Sequence, residues 1–431
     1  MLEWVLTRRI DDDRFIVIVC LAALAALVIV TVRRPFARRL SMGLAVGAGS
    51  ALVGLIVVWL VSDVFDVFGI GLSATTWAWC AGAFAGVGVA VAGMWRTRWW
   101  RLVVAAAGIP MVLVAAAAGI NQDYGAFSTV QDALGLTHYR TVAGNALQAG
   151  ADPHTAADVS NWMPPAGMPQ RGIVEQVHIP ATVSHFPARP AIVYLPPAAR
   201  TAHPPALPVV MAMAGQPGSP PEMTGMGGMA ADLDAYAAKH KGLAPIVVSP
   251  DQLGQPENNP MCVDSKLGNS ATYLTVDVPR WVRAHLAVTS GDWAVAGFSQ
   301  GATCAVQFAS EHPDLFGTFI TVATEEGPKS GSIASTVAKG FGGSRSAYEE
   351  ALPVNIMAKN APYRHSTAIF GVGQNDPHFR AYARVLAAAA TRAGMRVQTI
   401  VSPGTAHDWY TVRYVLAHAL PEVSDAWGLD R

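Results

Sequence analysis

The stretch Trp293-Ala-Val-Ala-Gly-Phe-Ser-Gln-Gly301 decides the fold of this chain. Its first six residues are apolar or small, which is typical of a buried strand, and a helical run begins at Gly301. Ser299 therefore lies at a strand-to-helix turn, flanked by Gly297 and Gly301. Such a turn needs glycines, because a Cβ at either position would collide with the neighbouring strand or helix. The pattern predicts a nucleophilic serine whose Oγ projects above the edge of a sheet.

Short β-rich runs alternate with helical runs on both sides of this turn. Predicted strands are Ile173–Ile179, Ala191–Leu195, Pro208–Ala214, Pro245–Ser249, Trp293–Phe298, Gly317–Val322, Thr367–Val372 and Arg396–Val401. Predicted helices are Met229–His240, Thr272–Ala284, Gly301–Glu311, Pro377–Ala393 and Trp409–Ala419. Apolar strands that alternate with helices indicate an α/β fold with a mostly parallel, doubly wound sheet. We expect one such domain over residues 173–431.

A serine hydroxyl needs a base to take its proton, and the base needs a carboxylate to fix its tautomer. In folds that carry this turn, the chain order is serine, acid, histidine. Asp376 follows the predicted strand Thr367–Val372, and His407 follows the next strand, Arg396–Val401. The carboxyl ends of parallel strands meet at one sheet edge, where such folds place their ligands. The predicted catalytic residues are therefore Ser299, Asp376 and His407.

Other side chains could serve as the base or as the acid, and the sequence leaves these alternatives open. Alternative bases are His312, His378 and His418, and alternative acids are Glu325, Glu326 and Asp408. The three histidines fall at predicted helix ends. The two glutamates follow another predicted strand and could act from a neighbouring position. The aspartate adjoins His407 in the chain and is badly placed to reach the ring of its own neighbour.

The oxyanion of a tetrahedral intermediate needs N–H donors, and one comes from the residue after the nucleophile, here Gln300. The second comes from the loop after the third strand, which reads Ala214-Gly-Gln-Pro-Gly218. Because Pro217 has no N–H, we choose Gln216 as the second donor. An ordinary Gly/Pro turn is the alternative for this loop.

Four long apolar runs precede residue 121: Phe15–Val32, Leu40–Val61, Ile70–Met94 and Leu102–Ile120. Each is long enough for a helix to cross a bilayer core, which takes about 17–25 residues. None contains an ionisable Asp, Glu, Lys, Arg or His, and transport or proton relay usually requires such groups within the spans. We therefore predict a four-helix transmembrane anchor over residues 1–120 and a connecting segment over residues 121–172.

Arginines indicate the orientation of this anchor, because cytoplasmic loops carry the excess of basic residues. The first and third loops hold Arg33, Arg34, Arg38, Arg39, Arg96, Arg98 and Arg101. The second loop, around Asp63 and Asp66, holds no basic residue, and the N-terminal tail mixes three arginines with acids. The first and third loops are therefore expected in the cytoplasm. Both chain ends and the α/β domain would then be extracytoplasmic, on a multi-pass protein of the cell membrane.

Two cysteines, Cys262 and Cys304, lie in the domain expected outside the cell, where disulfides persist. Cys304 falls in the helix after Ser299, and Cys262 falls in the loop after the strand Pro245–Ser249. A bridge between them would pin that loop over the edge that carries Ser299. Two free buried thiols are the alternative.

Composition excludes several classes of function. Charged residues make up only 14% of the chain, and the 30 basic and 30 acidic side chains cancel. A polyanion binder driven by bulk electrostatics, and hence a nucleic-acid partner, is not expected. No CxxC, HExxH or P-loop pattern occurs, so we expect no metal and no cofactor. The oligomeric state stays open.

Three stretches resemble the esterase D / antigen 85 mycolyltransferase family of α/β-hydrolases, which is widespread in actinobacteria. They are TYLTVDVPRWV at 272–282, AVAGFSQG at 294–301 and EHPDLF at 311–316. The resemblance extends over about Ile173–Val415, and it implies an α/β-hydrolase fold with an acyl-enzyme on Ser299 and His407 as base. The secreted mycolyltransferases use a glutamate as the acid and have no membrane spans, whereas this chain offers Asp376 and four apolar runs.

Together, these features predict a membrane-anchored serine esterase that hydrolyses a lipid or cell-envelope ester outside the cytoplasm. The alternative is an acyltransferase of the mycolyltransferase type, which passes the acyl group to a sugar or lipid alcohol. A third possibility, from another class, is a catalytically inactive domain that binds envelope lipids or partner proteins.

Overall fold

The computed structural model of the chain describes residues 2–65, 67, 69–148, 159–291 and 293–430. It divides into two compact units, Met1–Thr137, which we call the helical unit, and His138–Arg431, which we call the α/β unit. Asp66 of the second predicted loop and residues 149–158 of the expected connecting segment lie outside the described residues.

The helical unit contains the four predicted spans as long apolar helices. Its helices are α1 Leu2–Leu6, α2 Asp13–Thr31, α3 Phe36–Trp59, α4 Ala74–Gly93, α5 Trp99–Tyr124 and α6 Val130–Ala133. Among the described residues, α2, α3, α4 and α5 are long and apolar enough to cross a membrane, with α3 extended by a π-helical turn over Leu60–Val64. Most large side chains on these helices are exposed, as expected for surfaces that face lipid.

Glycines allow α4 to approach two neighbouring helices closely. A Cβ at Gly93 would lie 1.8 Å from Cγ1 of Val30 in α2, and one at Gly86 would lie 2.8 Å from Cγ1 of Val112 in α5. Small residues at such contacts let helix backbones pack without a side chain between them. α4 therefore packs closely against both α2 and α5.

The α/β unit is built on one large sheet. The strands are β1 Arg140–Thr141, β2 Ile173–Val177, β3 Ala191–Leu195, β4 Val209–Met213, β5 Ile246–Ser249, β6 Asp264–Ser265, β7 Gly268–Asn269, β8 Trp293–Phe298, β9 Phe316–Val322, β10 Thr367–Gly373 and β11 Arg396–Ser402. Nine of them follow the order β1-β2-β3-β5-β4-β8-β9-β10-β11, while β6 and β7 form a small hairpin. β3 runs antiparallel to both of its neighbours, and all other neighbouring pairs in the large sheet are parallel. The predicted α/β fold with a mostly parallel sheet is confirmed.

Helices follow most of the parallel strands. They are α7 Gly144–Leu147, α8 Pro221–Thr224, α9 Met229–Ala237, α10 Ser270–Thr272, α11 Val278–His285, α12 Gln300–Glu311, α13 Ile333–Gly340, α14 Arg345–Glu350, α15 Pro353–Asn360, α16 Pro377–Arg392 and α17 Trp409–Ala426. Every residue of β3, β4 and β8 is buried. Burial on both faces explains why these strands read as unbroken apolar runs rather than alternating patterns.

Three local differences separate the structure from the sequence-based expectations. The predicted helix Thr272–Ala284 is interrupted by a π-helical turn over Tyr273–Asp277. Pro279 has no N–H to donate to the turn before it. The N–H of the preceding residue, Val278, bonds to the Tyr273 carbonyl five residues back rather than to the carbonyl four residues back. α5 continues past residue 120, and β1 lies within the expected connecting segment 121–172. Residues 327–359, where no element was expected, contain α13, α14 and most of α15.

Candidate active site

Ser299 occupies a strained turn between β8 and α12. Its φ of 54° and ψ of −115° lie in a region that residues with a side chain rarely adopt. Two hydrogen bonds hold the turn: the Ser299 N–H donates to the Val322 carbonyl at 2.9 Å, and the Thr303 N–H donates to the Ser299 carbonyl at 3.0 Å. The turn is thus fixed from β9 on one side and from α12 on the other.

The flanking glycines are required by backbone contacts. A Cβ at Gly297 would lie 2.1 Å from the Gly301 carbonyl oxygen, and a Cβ at Gly301 would lie 2.3 Å from the Met213 carbonyl oxygen. Backbone atoms cannot rotate away as a flexible side chain could. The structure therefore explains the Gly-x-Ser-x-Gly pattern by the close approach of β4, β8 and α12.

The structure brings Asp376 and His407 together at the same sheet edge. Asp376 lies in the turn after β10 and His407 lies in the loop after β11, with 3.3 Å between Asp376 Oδ2 and His407 Nδ1. The other carboxylate oxygen accepts a hydrogen bond from the Phe379 N–H at 3.2 Å, because Asp376 is also the N-cap of α16. This arrangement fixes the carboxylate and assigns the Nδ1 proton to the shared bond, which leaves Nε2 free to accept a proton.

Aromatic rings hold the imidazole in place. The His407 ring lies 4.9 Å from the ring of Phe298 and 4.4 Å from the ring of Phe379, measured between centroids. Phe298 directly precedes Ser299, so the nucleophile turn and the imidazole are packed into one cluster. The side chains of His407 and Asp376 are 10% and 8% exposed, so their interaction is largely shielded from water.

The alternative acids have other partners. Asp408 is the N-cap of α17, and its carboxylate accepts hydrogen bonds from the N–H groups of Ala406 and Thr411. Glu325 forms an ion pair with Lys329 at 3.5 Å, and Glu326 is exposed.

Among the alternative histidines, His312 lies 4.0 Å from Glu311, while the His378 ring contacts Tyr382 and the His418 Nδ1 bonds to the Tyr414 carbonyl. Of the residues considered, the pair that the structure joins is Asp376 and His407.

The two expected oxyanion donors flank the nucleophile turn. The Gln300 N–H belongs to the first residue of α12 and so has no acceptor within the helix. The loop that carries Gln216 lies against the serine: a Cβ at Gly215 would be 3.4 Å from Ser299 Cβ. The Gln216 side chain donates to the Glu257 carbonyl at 3.0 Å and holds the loop from outside.

A buried side chain that the sequence did not single out links both halves of this region. Gln252 Nε2 donates to the Ala214 carbonyl at 2.7 Å and lies 3.3 Å from Gln300 Oε1. One amide therefore connects the start of the Gln216 loop to the residue after Ser299. No motif identifies Gln252, because its role depends on contacts 38 and 48 residues away in the chain.

The predicted bridge between Cys262 and Cys304 is present. Gln300 Nε2 lies 3.3 Å from Cys304 Sγ and 3.7 Å from Cys262 Sγ. The disulfide therefore ties the loop after β5 to α12 directly behind the Gln300 side chain. Cys20 and Cys80 of the helical unit are free.

An ion pair supports the Gln216 loop from the side of β3. Arg189 pairs with the buried carboxylate of Asp251 at 2.7 Å, and its Nη2 also donates to the Gly218 carbonyl at 2.9 Å. Asp251 further accepts hydrogen bonds from the N–H groups of Leu253 and Gly254. The ion pair thus joins the loop after β4 to the loop after β5.

A carboxyl group lies beneath the same loop. A Cβ at Gly218 would be 3.0 Å from Glu222 Oε2, and the Ser219 hydroxyl donates to Glu222 Oε1 at 2.9 Å. Burial raises the pKa of Glu222 from 4.5 to about 7. The folded state therefore binds the proton more tightly than the unfolded state, so stability falls as pH rises from about 4.5 to 7.

Glu222→Gln is expected to remove this loss of stability, because glutamine stays neutral and its Oε1 can still accept the bond from Ser219. The variant should unfold at a higher temperature than the wild type at pH 8, by several degrees. The difference should shrink as pH falls towards 4.5. Thermal unfolding of both proteins from pH 4.5 to 8 measures it, with the exposed Glu326→Gln as control. A constant difference across this range would contradict the assignment.

A metal site is not evident in the parts of the chain that the structure describes, since no group of three or more His, Cys, Asp and Glu side chains could hold an ion there.

This sheet order, with a serine at the turn after β8 and an acid and a histidine after β10 and β11, defines an α/β-hydrolase. The model of the putative esterase family matches residues 188–417, which is more than half of the chain. The chain belongs to that family.

Known proteins similar to this chain include a relative and several solved structures. A Corynebacterium glutamicum protein described as uncharacterized is 31% identical over 269 residues, which cover 60% of this chain and 63% of the relative. The match thus spans less than two thirds of the relative's length. An S-formylglutathione hydrolase from Agrobacterium tumefaciens is 17% identical with a TM-score of 0.49, and it covers 60% of this chain and 96% of its own. Mycobacterium tuberculosis MPT51 is 19% identical with a TM-score of 0.43, covering 60% and 99%.

Proposed function

We propose that the protein is a membrane-anchored serine esterase that hydrolyses a lipid or cell-envelope ester on the extracytoplasmic face of the cell membrane. The observation that carries the proposal is the largely buried Asp376–His407 pair, packed through Phe298 against the strained turn of Ser299. Family membership supports ester chemistry at this site.

In the proposed mechanism, Ser299 Oγ attacks the ester carbonyl while His407 Nε2 takes the hydroxyl proton. The carbonyl oxygen becomes an oxyanion, which the N–H groups of Gln300 and Gln216 stabilise. Asp376 stabilises the imidazolium. The tetrahedral intermediate then collapses, and the alcohol leaves with the proton from His407.

The acyl group is then an ester of Ser299. Water attacks this acyl-enzyme, gives its proton to His407, and forms a second oxyanion in the same place. Collapse releases the carboxylic acid and returns the proton to Ser299. If an alcohol takes the place of water, the same steps yield a new ester, which is the acyltransferase alternative.

Three features support the proposed location. The helical unit supplies four candidate spans, and the seven arginines of the first and third loops favour a cytoplasmic position for those loops. The Cys262–Cys304 bridge supports the same orientation, because disulfides persist in oxidising compartments. An enzyme held beside a bilayer meets esters of lipids and of the envelope at high local concentration.

Purified full-length protein in detergent is expected to release free fatty acid from acylated glycerol and envelope-lipid extracts. Product analysis by mass spectrometry, with and without trehalose or glycerol as added acceptor, separates hydrolysis from transfer. Free acid as the main product in the presence of acceptor supports the esterase, and a transferred ester supports the acyltransferase.

Two outcomes would contradict the proposal. Absence of both products, together with no labelling of Ser299 by a fluorophosphonate probe, would favour the inactive binding domain. For the orientation, intact spheroplasts are treated with protease: digestion of the α/β unit only after lysis would place it in the cytoplasm.

A further inference from the structure

Two loops meet at one end of the helical bundle, between α2 and α3 and between α4 and α5. Arg33 Nη2 donates to the Trp95 carbonyl at 3.1 Å, and Arg101 Nη1 donates to the Val32 carbonyl at 3.3 Å. A carbonyl in each of the two loops therefore accepts a hydrogen bond from an arginine of the other pair of helices or its loop. Because a carbonyl is neutral, neither bond neutralises the charge of the arginine. Among the residues that the structure describes, Arg33, Arg39 and Arg101 form no ion pair.

Charge in the helical unit is separated between the two ends of the bundle. The segments 32–62 and 67–122 contain no Asp or Glu, and the acids nearest the spans are Asp13, Asp63 and Asp123. Asp13 begins α2 and Asp123 lies near the end of α5, so these two lie at the end opposite to Arg33. Burial lowers the pKa of Arg33, and the positive charges of Arg39 and Arg101 lower it further. The arginine end thus concentrates positive charge, and the described residues of the helical unit supply no counterion there.

Unsatisfied donors lie at the same end. In the described part of the chain, Arg33 Nε and the Thr97 hydroxyl are buried and have no hydrogen-bond partner. A buried polar group without a partner destabilises the folded state, and does so more strongly when it is charged. Arg33 Nε can only donate and the Thr97 hydroxyl can donate as well as accept, so an acceptor would satisfy both groups, and the charge of the cluster favours an anionic one.

A groove opens beside these groups between α2, α3 and α4. Its apolar wall includes Val30, Met42 and Val89, and its rim includes Arg33 and Arg39. An apolar wall below two guanidiniums matches a molecule with a hydrocarbon chain and an anionic head. A free phosphate ion would contact only the arginines at the rim and leave the apolar wall unoccupied.

We propose that this groove binds an anionic phospholipid, with the phosphate on Arg33 and Arg39 and an acyl chain along Met42 and Val89, above the buried Val30. Guanidinium groups bind phosphate oxygens in a bidentate manner, and basic pockets between transmembrane helices suit lipid headgroups. The site lies in the helical unit and does not depend on the proposed esterase activity.

Native mass spectrometry of the full-length protein, titrated with phosphatidylglycerol, tests the proposal. Arg33→Gln combined with Arg39→Gln is expected to weaken binding of the first lipid roughly 10- to 30-fold, since each arginine near an anionic headgroup contributes about fivefold to the affinity. The matched control, Arg34→Gln with Arg38→Gln, removes the same charge from exposed positions in the same region and should change the affinity less than about threefold. The lipid affinity of Arg33→Lys should fall between those of the wild type and the double variant, because lysine keeps the positive charge but lacks the forked donors of a guanidinium.

Two comparison ligands separate the sources of the phosphate. Phosphatidylcholine with the same acyl chains should bind more weakly, and inorganic phosphate should not displace the lipid. Equal binding of phosphatidylcholine, or equal losses in the control variant, would overturn the proposal, and displacement by inorganic phosphate would make the free ion the ligand. If the double variant does not fold, a photoreactive phosphatidylglycerol on the wild type replaces it: crosslinks to the Val30 and Met42 peptides support the site, and crosslinks elsewhere refute it.

Discussion

Ser299→Ala is expected to lower kcat for an activated ester such as p-nitrophenyl butyrate by about 10⁶-fold, as losses of the nucleophile do in serine hydrolases. Alanine keeps the Cβ and hence the backbone contacts of the turn, but it removes the Oγ that would form the acyl-enzyme. Residual rate would come from the oxyanion donors and from substrate binding alone. Steady-state hydrolysis and fluorophosphonate labelling of the two purified proteins measure the effect.

Ser402→Ala is the matched control for this substitution. Ser402 ends β11 at the same sheet edge, and its buried hydroxyl has no hydrogen-bond partner among the described residues. Its removal should leave kcat within a few-fold of the wild type, because no bond of the site is lost. If Ser299→Ala kept more than about a hundredth of the wild-type kcat while remaining folded, another nucleophile would be responsible.

The parts of the site that could be predicted from sequence are those set by strand ends. β8, β10 and β11 are short runs whose apolar residues mark them, and the residues that follow them must emerge at one edge of a parallel sheet. That geometric rule alone predicts that Ser299, Asp376 and His407 lie near one another. It holds without knowledge of any side-chain contact.

The supporting contacts could not be predicted, because they join segments that no local pattern relates. The side-chain amide of Gln252 hydrogen-bonds to the loop after β4 and to the first residue of α12, and Arg189 pairs with Asp251 across 62 residues. Their sequence neighbourhoods resemble ordinary loops. The burial of Glu222 is likewise a property of packing against Gly218, and the short α8 that carries it has no periodicity to indicate it.

The helical unit likewise has features that the sequence predicts and features that only the structure reveals. Length and hydropathy indicate the four spans, since a bilayer demands both. The same sequence also shows seven arginines in two loops, but it does not distinguish Arg33, which is partly buried with an unsatisfied Nε, from the exposed Arg34. Only the packing of the two loops against each other makes that difference.

Asp376→Asn is expected to lower kcat by about 10⁴-fold while the α/β unit stays folded. The carboxylate now accepts the Nδ1 proton of His407, and an asparagine amide can donate to Nδ1 instead, which would place the imidazole proton on Nε2 and block its role as base. The N-cap of α16 should survive, because asparagine caps helices as well as aspartate does. Loss of kcat with an unchanged thermal midpoint is therefore the signature of this variant.

Glu325→Gln tests the rival acid under the same assay. Glu325 pairs with Lys329 and is partly exposed, so its neutralisation removes an ion pair worth at most about 1 kcal/mol and leaves the His407 tautomer unchanged. We expect kcat to change less than about threefold. A large loss in Glu325→Gln with a small loss in Asp376→Asn would assign the acid to the end of β9. Since the Asp376 carboxylate lies 3.3 Å from His407 Nδ1 and is fixed by the Phe379 N–H, we expect the opposite order.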